Sequence, residues 1–156
     1  MSIFKRVLKS AKKTCGAIPR FVYTTKTRLK VRSCGVRLRV NHKSSISGNV
    51  TIGDYCNFNG MSIRGKGEVK IGNYFHSGAG CLIMLGSHDY ENGDAIPYGF
   101  ALTQKTVIID DFVWLGTNVT ISGNVHIGEG AVVAIGSVVV KDVPPLAVVG
   151  GSAGKR

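Results

Sequence analysis

The sequence predicts an all-β fold, a parallel β-helix built from six-residue repeats. The first observation is the period: from Ile109 to Pro144 every sixth residue is Ile, Leu or Val, and the fifth residue of each unit is Val, Ala or Ser. A period of six fits neither an α-helix nor the alternation of a simple strand, and it is typical of hexapeptide β-helices. The second observation is that the chain contains 21 glycines, which relieve backbone strain at tight corners.

Each unit is expected to form one short strand and one corner, so that three units close a coil of about 18 residues. The aliphatic first residue then points into the coil and stacks on its equivalent in the next coil. The sequence therefore predicts that Ile109 lies under Ile127, Leu115 under Val133, and Ile121 under Val139. Each coil is stabilised by its neighbours, because a single coil cannot bury its inner face alone.

The repeats divide the chain into three parts. Residues 1–33 form an N-terminal arm, in which residues 2–13 fit a short amphipathic helix ended by Gly16 and Pro19, and residues 20–33 fit a strand leading into the β-helix. Residues 34–144 form the β-helix, with one extra residue in the glycine-rich stretch 64–70. Residues 89–105 follow no repeat and predict an extruded loop. Residues 145–156 are expected to leave as an extended tail.

The arm carries the charge of the protein. Residues 1–43 contain 13 Lys and Arg and no Asp or Glu, whereas the rest contains 7 basic and 9 acidic residues. Three interpretations are open for residues 1–16: a helix packed on a neighbouring coil or subunit, a helix bound to an anionic membrane surface, or nucleic-acid contact. No nucleic-acid-binding motif accompanies the charge, so we expect no nucleic-acid partner.

Composition also bounds the location of the protein. No apolar run approaches the ~20 residues that span a bilayer, and the first ten residues are too charged for a signal peptide. The four cysteines have no C-x-x-C spacing, and Cys56 and Cys81 occupy inward fifth positions of repeats. We therefore expect buried thiols and residence in the cytoplasm, with possible peripheral contact at the inner membrane face.

His88 is the candidate general base, because it is the last residue before the predicted loop and a neutral imidazole accepts protons near pH 7. Asp89 beside it is a candidate to orient the ring, and Asp89 and Tyr90 are candidate substrate contacts. His42, His76 and His126 are interpreted as solvated surface residues. The sequence contains no serine-nucleophile motif and no Walker phosphate loop. The histidine spacing argues against a zinc site, so we predict no metal.

Five motifs together resemble the hexapeptide-repeat acyltransferases, in particular the maltose and galactoside O-acetyltransferases and the related sugar O-acetyltransferases of surface-polysaccharide synthesis. These motifs are Asn57-Phe-Asn59, Val69-Lys-Ile-Gly72, Gly86-Ser-His88, Val113-Trp-Leu-Gly-Thr117 and the segment from Ala134 to Pro145 with its Lys-Asp-Val-Pro-Pro ending. The resemblance covers roughly residues 45–156.

The resemblance implies a left-handed β-helix, a homotrimer with active sites between subunits, and acetyl-CoA as co-substrate along a groove beside the coils. It implies that His88 is the catalytic base and that Asn57, with Asn59 nearby, contacts a sugar acceptor. It further implies that six residues contact acetyl-CoA. Trp114 and Thr117 would form the wall of the acyl and pantetheine channel, and Lys155 would lie near the nucleotide phosphates. Ile135, Val140 and Lys141 would form the coil edge along which the co-substrate runs.

The chain departs from the family pattern at three places. Ile135 and Val140 replace the usual Ala and Thr, so contacts with the co-substrate there would use the backbone. Lys66 replaces an Asp that often assists acceptor binding. The helical substrate module at the N-terminus of the family is replaced by the basic arm, which questions small disaccharides as acceptors.

Three functions follow as hypotheses. The first is acetyl-CoA-dependent O-acetylation of a sugar or glycan hydroxyl in polysaccharide or lipopolysaccharide synthesis, by direct transfer with His88 as base. The second is N-acetylation of an amino-sugar nucleotide or an antibiotic. The third is a non-catalytic hexapeptide scaffold held at a membrane by its arm. The acceptor that releases CoA distinguishes the first two, and acetyl-CoA binding distinguishes both from the third.

Overall fold

The computed structural model describes residues 19–46, 49–92 and 94–152. One helix, α1, occupies residues 19–28 of this part. The strands are β1 (Ser33–Cys34), β2 (Arg39–His42), β3 (Ser45–Ile46), β4 (Val50–Ile52), β5 (Asn57–Asn59), β6 (Ser62–Arg64), β7 (Glu68–Ile71), β8 (His76–Ser77), β9 (Leu82–Met84), β10 (Gly86–His88), β11 (Leu102–Gln104), β12 (Thr106–Ile109), β13 (Trp114–Leu115), β14 (Thr120–Ser122), β15 (Val125–Ile127), β16 (Val132–Val133), β17 (Val138–Val139) and β18 (Val148–Val149).

Sixteen of these strands form three parallel sheets, which are the three faces of a β-solenoid of about six turns. Face A contains β1, β4, β7, β12 and β15; face B contains β2, β5, β8, β13, β16 and β18; face C contains β3, β6, β9, β14 and β17. The chain visits the faces in the order A, B, C, so each strand pairs with the equivalent strand of the next coil. The predicted all-β solenoid is confirmed.

The register of the strands confirms the predicted stacking. Ile109 pairs with Ile127, Leu115 with Val133, and Ile121 with Val139. The inward side chains are almost fully buried, including the small fifth-position residues from Val113 to Val143. One continuous apolar core therefore runs through the centre of the prism, and it is held by coil-to-coil contacts.

The extra residue predicted in the stretch 64–70 belongs to a larger irregularity. Ile46 pairs with Ile63, 17 positions later, and Ile63 pairs with Ile83, 20 positions later. The unit that begins at Phe58 is therefore one residue short, because Met61 and Ile63 both point inward. The following corner is correspondingly long, and Gly65 adopts a positive φ of 108° there, a conformation that favours glycine.

The strand predicted over residues 20–33 is wrong for most of its length. Residues 19–28 are helical, and the first strand is only Ser33–Cys34. Tyr23, Thr24 and Thr27 lie on one side of α1, at helical spacing, and face the first coil. Tyr23 packs against the core, Thr27 is 4% exposed, and the hydroxyl of Thr24 accepts the Val40 N–H at 3.0 Å. This helix covers an otherwise open end of the apolar core. The helix predicted over residues 2–13 lies outside the described residues.

The segment predicted as a loop, residues 89–105, is in part a β-hairpin. β10 and β11 pair antiparallel, with His88 opposite Leu102 and Gly86 opposite Gln104. The hairpin leaves the solenoid between β9 of face C and β12 of face A. At the other end of the chain, β18 pairs in parallel with β16 on face B, so solenoid strands continue beyond residue 144, where the repeats end.

Candidate active site

His88 lies at the end of β10, on the hairpin that projects from the corner between faces C and A. The base of the hairpin is anchored because Leu85 is fully buried in the core. Farther out, the hydroxyls of Ser87 and Thr103 lie 2.9 Å apart across the two strands. These contacts fix the backbone that carries His88, while its side chain stays at the surface.

The imidazole of His88 contacts two residues on the far side of the hairpin. Its Nδ1 lies 3.2 Å from the carbonyl oxygen of Gly99, and its ring stacks on Tyr98 with a centroid separation of 3.9 Å and an angle of 23°. A carbonyl oxygen only accepts hydrogen bonds, so Nδ1 must carry the hydrogen and donate it. In the neutral ring, Nε2 then holds the lone pair, which is the arrangement that a general base requires.

Asp89 does not orient this ring as hypothesised from its adjacency. Its Oδ1 accepts the backbone N–H groups of Glu91 and Asn92, at 3.2 and 2.9 Å. This is a local turn of the kind that Asp commonly forms. The orienting carbonyl belongs to Gly99, 11 residues from His88. Tyr90 follows in the same loop and is exposed.

Asn57 and Asn59 flank Phe58 on β5 and point outward from face B, as predicted from the buried Phe58. Asn59 belongs to a ladder of polar side chains that crosses successive coils. Its Oδ1 accepts from Asn41 Nδ2 at 2.7 Å, and its Nδ2 donates to the Ser77 carbonyl at 2.9 Å. These bonds hold its amide group in a defined orientation on face B.

Three of the residues expected to contact acetyl-CoA lie on face B or at the corner that follows it. Trp114 on β13 is 52% exposed. The Gly136 N–H donates to the Thr117 carbonyl at 2.8 Å, so Thr117 and Ile135 occupy the same corner in adjacent coils. Ile135 is 72% exposed. These side chains therefore form a partly apolar edge along the solenoid.

Val140 and Lys141 occupy the next corner, directly after β17 of face C, and both are exposed. Lys155 lies outside the described residues. The residues predicted for the co-substrate are thus divided between two corners of the solenoid.

His88 and the predicted residues of face B lie on opposite sides of one protomer. The hairpin leaves the corner between faces C and A, whereas Asn57 and Trp114 lie on face B. In a triangular prism the corner between two faces is opposite the third face. A single protomer therefore does not bring His88 together with Asn57 and Trp114.

The remaining histidines have different surroundings. His126 Nε2 lies 2.8 Å from Asp110 Oδ2, and His76 Nε2 lies 3.3 Å from Asn59 Nδ2. Unlike His88, neither residue precedes an extruded hairpin. Among the described residues, no group of three or more His, Cys, Asp or Glu is arranged to hold a metal ion. In the same part of the chain, no helix is long and apolar enough to cross a bilayer.

Sequence reasoning did not find the contacts of Tyr98 and Gly99 with His88. Tyr98 stood out as an aromatic residue in the irregular segment, but nothing in that segment indicated which residue it would face. Sequence reasoning also did not predict a surface depression of about 580 Å³ between α1 and face B. That depression depends on a helix where a strand was expected.

Comparison with known proteins agrees with this fold. A hexapeptide-repeat containing acetyltransferase from Vibrio cholerae is 30% identical, with 82% of this chain and 73% of that chain covered and a TM-score of 0.69. Chloramphenicol acetyltransferase from Klebsiella aerogenes is 33% identical over 106 residues, which are 57% of this chain and 50% of the relative. Galactoside O-acetyltransferase from Escherichia coli (strain K12) is 32% identical over 114 residues, 69% of this chain and 52% of the relative. No family model matches the chain.

A β-solenoid built from six-residue repeats defines the class of hexapeptide-repeat proteins. The chain belongs to the hexapeptide-repeat acetyltransferases, and its β-helix is left-handed, as predicted. The predicted resemblance to the galactoside O-acetyltransferases is confirmed. The chain spans about half the length of the chloramphenicol and galactoside relatives.

Proposed function

We propose that this protein is an acetyl-CoA-dependent O-acetyltransferase that transfers the acetyl group directly to a hydroxyl of a sugar or glycan. The observation that carries the proposal is the position of His88, whose Nδ1 faces the Gly99 carbonyl and whose Nε2 is left as a proton acceptor. Membership of the acetyltransferase family and the match to a galactoside O-acetyltransferase support the reaction class.

In the proposed reaction, Nε2 of His88 takes the proton of the acceptor hydroxyl while the oxygen attacks the thioester carbonyl. The new C–O bond forms, the C–S bond breaks, and the proton passes from His88 to the sulfur of CoA. The Gly99 carbonyl accepts the Nδ1–H throughout and stabilises the transient imidazolium through its dipole. The missing nucleophile motif fits a direct transfer, because no acyl-enzyme intermediate forms.

The co-substrate is proposed to lie along the edge formed by Trp114, Thr117 and Ile135, with its acetyl end near the His88 of another protomer. Val140, Lys141 and Lys155 are proposed to continue the contact along the coils. A backbone N–H at the coil edge would hold the oxyanion that develops during transfer. The exposure of Trp114 and Ile135 supports this edge as an apolar surface accessible to a ligand.

The acceptor is proposed to bind face B through Asn57 and Asn59, with Asp89 and Tyr90 contributing from the loop. Asparagine amides donate and accept hydrogen bonds, as recognition of sugar hydroxyls requires. The fixed orientation of the Asn59 amide supports this role, because a pre-organised group loses little entropy on binding.

We also propose that the working unit is a homotrimer. The argument is the separation of His88 from Asn57 and Trp114 within one protomer, since a complete site then requires a second copy. Large exposed apolar side chains support such a contact, including Ile96 and Phe100 on the hairpin and Val148 on face B. The size of the particle by light scattering tests this part of the proposal.

The proposed setting is polysaccharide or lipopolysaccharide synthesis at the cytoplasmic face of the membrane, with residues 1–16 as a peripheral contact. The positive charge of the arm supports the membrane contact, because cationic segments are attracted to anionic lipid.

Release of CoA tests the reaction. The purified protein is incubated with acetyl-CoA and with galactose, glucose or glucosamine, free thiol is measured, and the product is identified by mass spectrometry. We expect thiol release with the neutral sugars and an ester in the product. Release with glucosamine alone, and an amide in the product, would instead establish the N-acetyltransferase. A stable trimer that does not bind acetyl-CoA would establish the scaffold.

A further inference from the structure

A surface depression lies between α1 and strands β2 and β5 at the end of face B. Its volume is about 580 Å³, and it is lined by Pro19, Arg20, Tyr23, Asn41, His42 and Asn59. This volume is within the range of small-molecule sites, about 300–1,000 Å³. The lining combines a guanidinium, a phenol, an imidazole and two amides, so the depression is suited to a polar ligand.

The walls of the depression are held in place from both sides. On the helix side, Tyr23 packs against the core and the Thr24 hydroxyl accepts the Val40 N–H, so the helical turn that carries Arg20 is fixed on the first coil. On the sheet side, Asn41 donates to Asn59, which is itself bonded to the Ser77 carbonyl. The polar groups are therefore pre-organised.

The charge around the depression is positive, and among the described residues no acidic side chain pairs with it. None of the six strands of face B contains an Asp or Glu. All nine acidic residues of the chain lie in the described part, and none is within ion-pair distance of Arg20 there. Arg39 adds another positive charge on β2. Such a surface favours an anion and disfavours a cation.

We propose that this depression binds an anionic group carried by the acceptor, a phosphate or a carboxylate attached to a sugar. Arg20 pairs with the anion, because its planar guanidinium donates two parallel hydrogen bonds to such groups. Tyr23 and His42 donate or accept further bonds, and the Asn41–Asn59 pair contacts neighbouring sugar hydroxyls. The inference rests on the proposed function in one respect: Asn59 is shared between this depression and the acceptor side of the proposed active site.

The test measures binding without turnover. Isothermal titration calorimetry compares glucose 1-phosphate, glucuronate and glucose on the full-length protein, in the absence of acetyl-CoA. We expect at least one anionic sugar to bind about tenfold or more tightly than glucose, because charge-assisted hydrogen bonds are the stronger ones. Preference for glucose 1-phosphate identifies a phosphate as the anion, and preference for glucuronate identifies a carboxylate.

Variants then locate the binding. Arg20→Gln is expected to reduce the preference for the anionic sugar about tenfold, and Arg20→Lys is expected to retain part of it. Lys26→Gln is the matched control, since it removes the same charge from the same helix outside the depression. The proposal is overturned if glucose binds as tightly as the anionic sugars, or if Arg20→Gln and Lys26→Gln weaken binding equally.

The two proposals fail separately. If the protein acetylates neutral sugars and shows no preference for anionic ones, the proposed anion site is wrong and the proposed O-acetyltransferase activity stands. If an anionic sugar binds in a manner that depends on Arg20 but no acceptor causes release of CoA, the proposed transferase activity is wrong and the proposed anion site stands.

Discussion

His88 and Gly99 face each other across the hairpin, with Nδ1 of the imidazole 3.2 Å from the carbonyl oxygen. This contact assigns the ring hydrogen to Nδ1, and in the neutral ring it leaves the lone pair on Nε2. The tautomer of the proposed base is thus set by a backbone carbonyl, and no sequence motif indicates this contact.

The first prediction concerns His88→Ala. We expect acetyl transfer to fall by about 10²–10⁴-fold, the usual cost of losing a general base, while circular dichroism stays unchanged because the side chain is exposed. CoA release measures the effect. His126→Ala is the matched control, since His126 occupies the same repeat position and forms only a surface contact with Asp110. More than about a tenth of wild-type turnover in His88→Ala would remove His88 from the mechanism.

The second prediction concerns Tyr98, which stacks on His88 at a centroid distance of 3.9 Å. Tyr98→Ala should lower kcat roughly tenfold to a hundredfold, because small displacements of a catalytic group are costly. Tyr98→Phe should restore most of the rate, since it keeps the ring. The Michaelis constant for acetyl-CoA should change little in both. Equal losses in Tyr98→Phe and Tyr98→Ala would show that the hydroxyl, and not the stacking, matters.

The third prediction tests the repeat frame through Ile127→Asp. Ile127 is fully buried and stacks on Ile109, and burying an unpaired carboxylate costs several kcal/mol of a total stability of ~5–15 kcal/mol. We expect the variant not to fold. Ile108→Asp is the control, because Ile108 neighbours Ile109 but points outward. A folded Ile127→Asp protein with native β circular dichroism would contradict the inward orientation of the first repeat position.

The fourth prediction concerns Cys56, whose pKa is raised to about 11 from an ordinary 9.0, chiefly because burial disfavours the thiolate. At pH 8 we expect Cys56 to resist iodoacetamide in the native protein and to react in denaturant, since the thiolate is the nucleophile. Half-buried Cys34 should react before Cys56, as peptide mass spectrometry will show. Rapid native labelling of Cys56 would contradict its burial.

The same shift predicts a pH dependence of stability. Between pH 9 and about 11 the unfolded chain has lost the Cys56 proton and the native protein retains it, so the free energy of unfolding should fall as pH rises through this window. Denaturant titrations of the wild type and Cys56→Ala at pH 8 and about pH 10.5 measure the effect. The wild type should lose more stability than the variant, and equal losses would assign the pH dependence to other groups.

The fifth prediction concerns the basic arm. Deleting residues 1–16 should release the protein from anionic vesicles while sparing acetylation of a short soluble acceptor, because each Lys or Arg near an anionic surface contributes ~1 kcal/mol. Vesicle flotation measures binding, which should weaken as salt rises, since charges are screened over ~8–10 Å. If the full-length protein does not bind the vesicles at low salt, or if the deletion dissociates the proposed trimer, residues 1–16 have a structural role and no membrane role.

The six-residue spacing was enough to predict the solenoid and the residues of its interior. A side chain repeated every six residues must meet its equivalent in the next coil, so the pairs Ile109–Ile127 and Leu115–Val133 followed from spacing alone. The broken period likewise located the irregular segment that follows His88, but not the strand pairing that makes part of it a hairpin. These are properties of the local repeat, and each depends only on residues close in sequence or one coil away.

Features that depend on contacts outside the repeat could be seen only in the folded protein. Residues 19–28 became a helix because Tyr23 and Thr27 find partners on the first coil, a contact that alternating apolar residues do not encode. The orientation of His88 depends on Gly99, which approaches only when β10 and β11 pair. The separation of His88 from face B follows from the three-sided cross-section. Successive repeats lie on different faces of the prism, so residues at regular spacing along the chain face different directions.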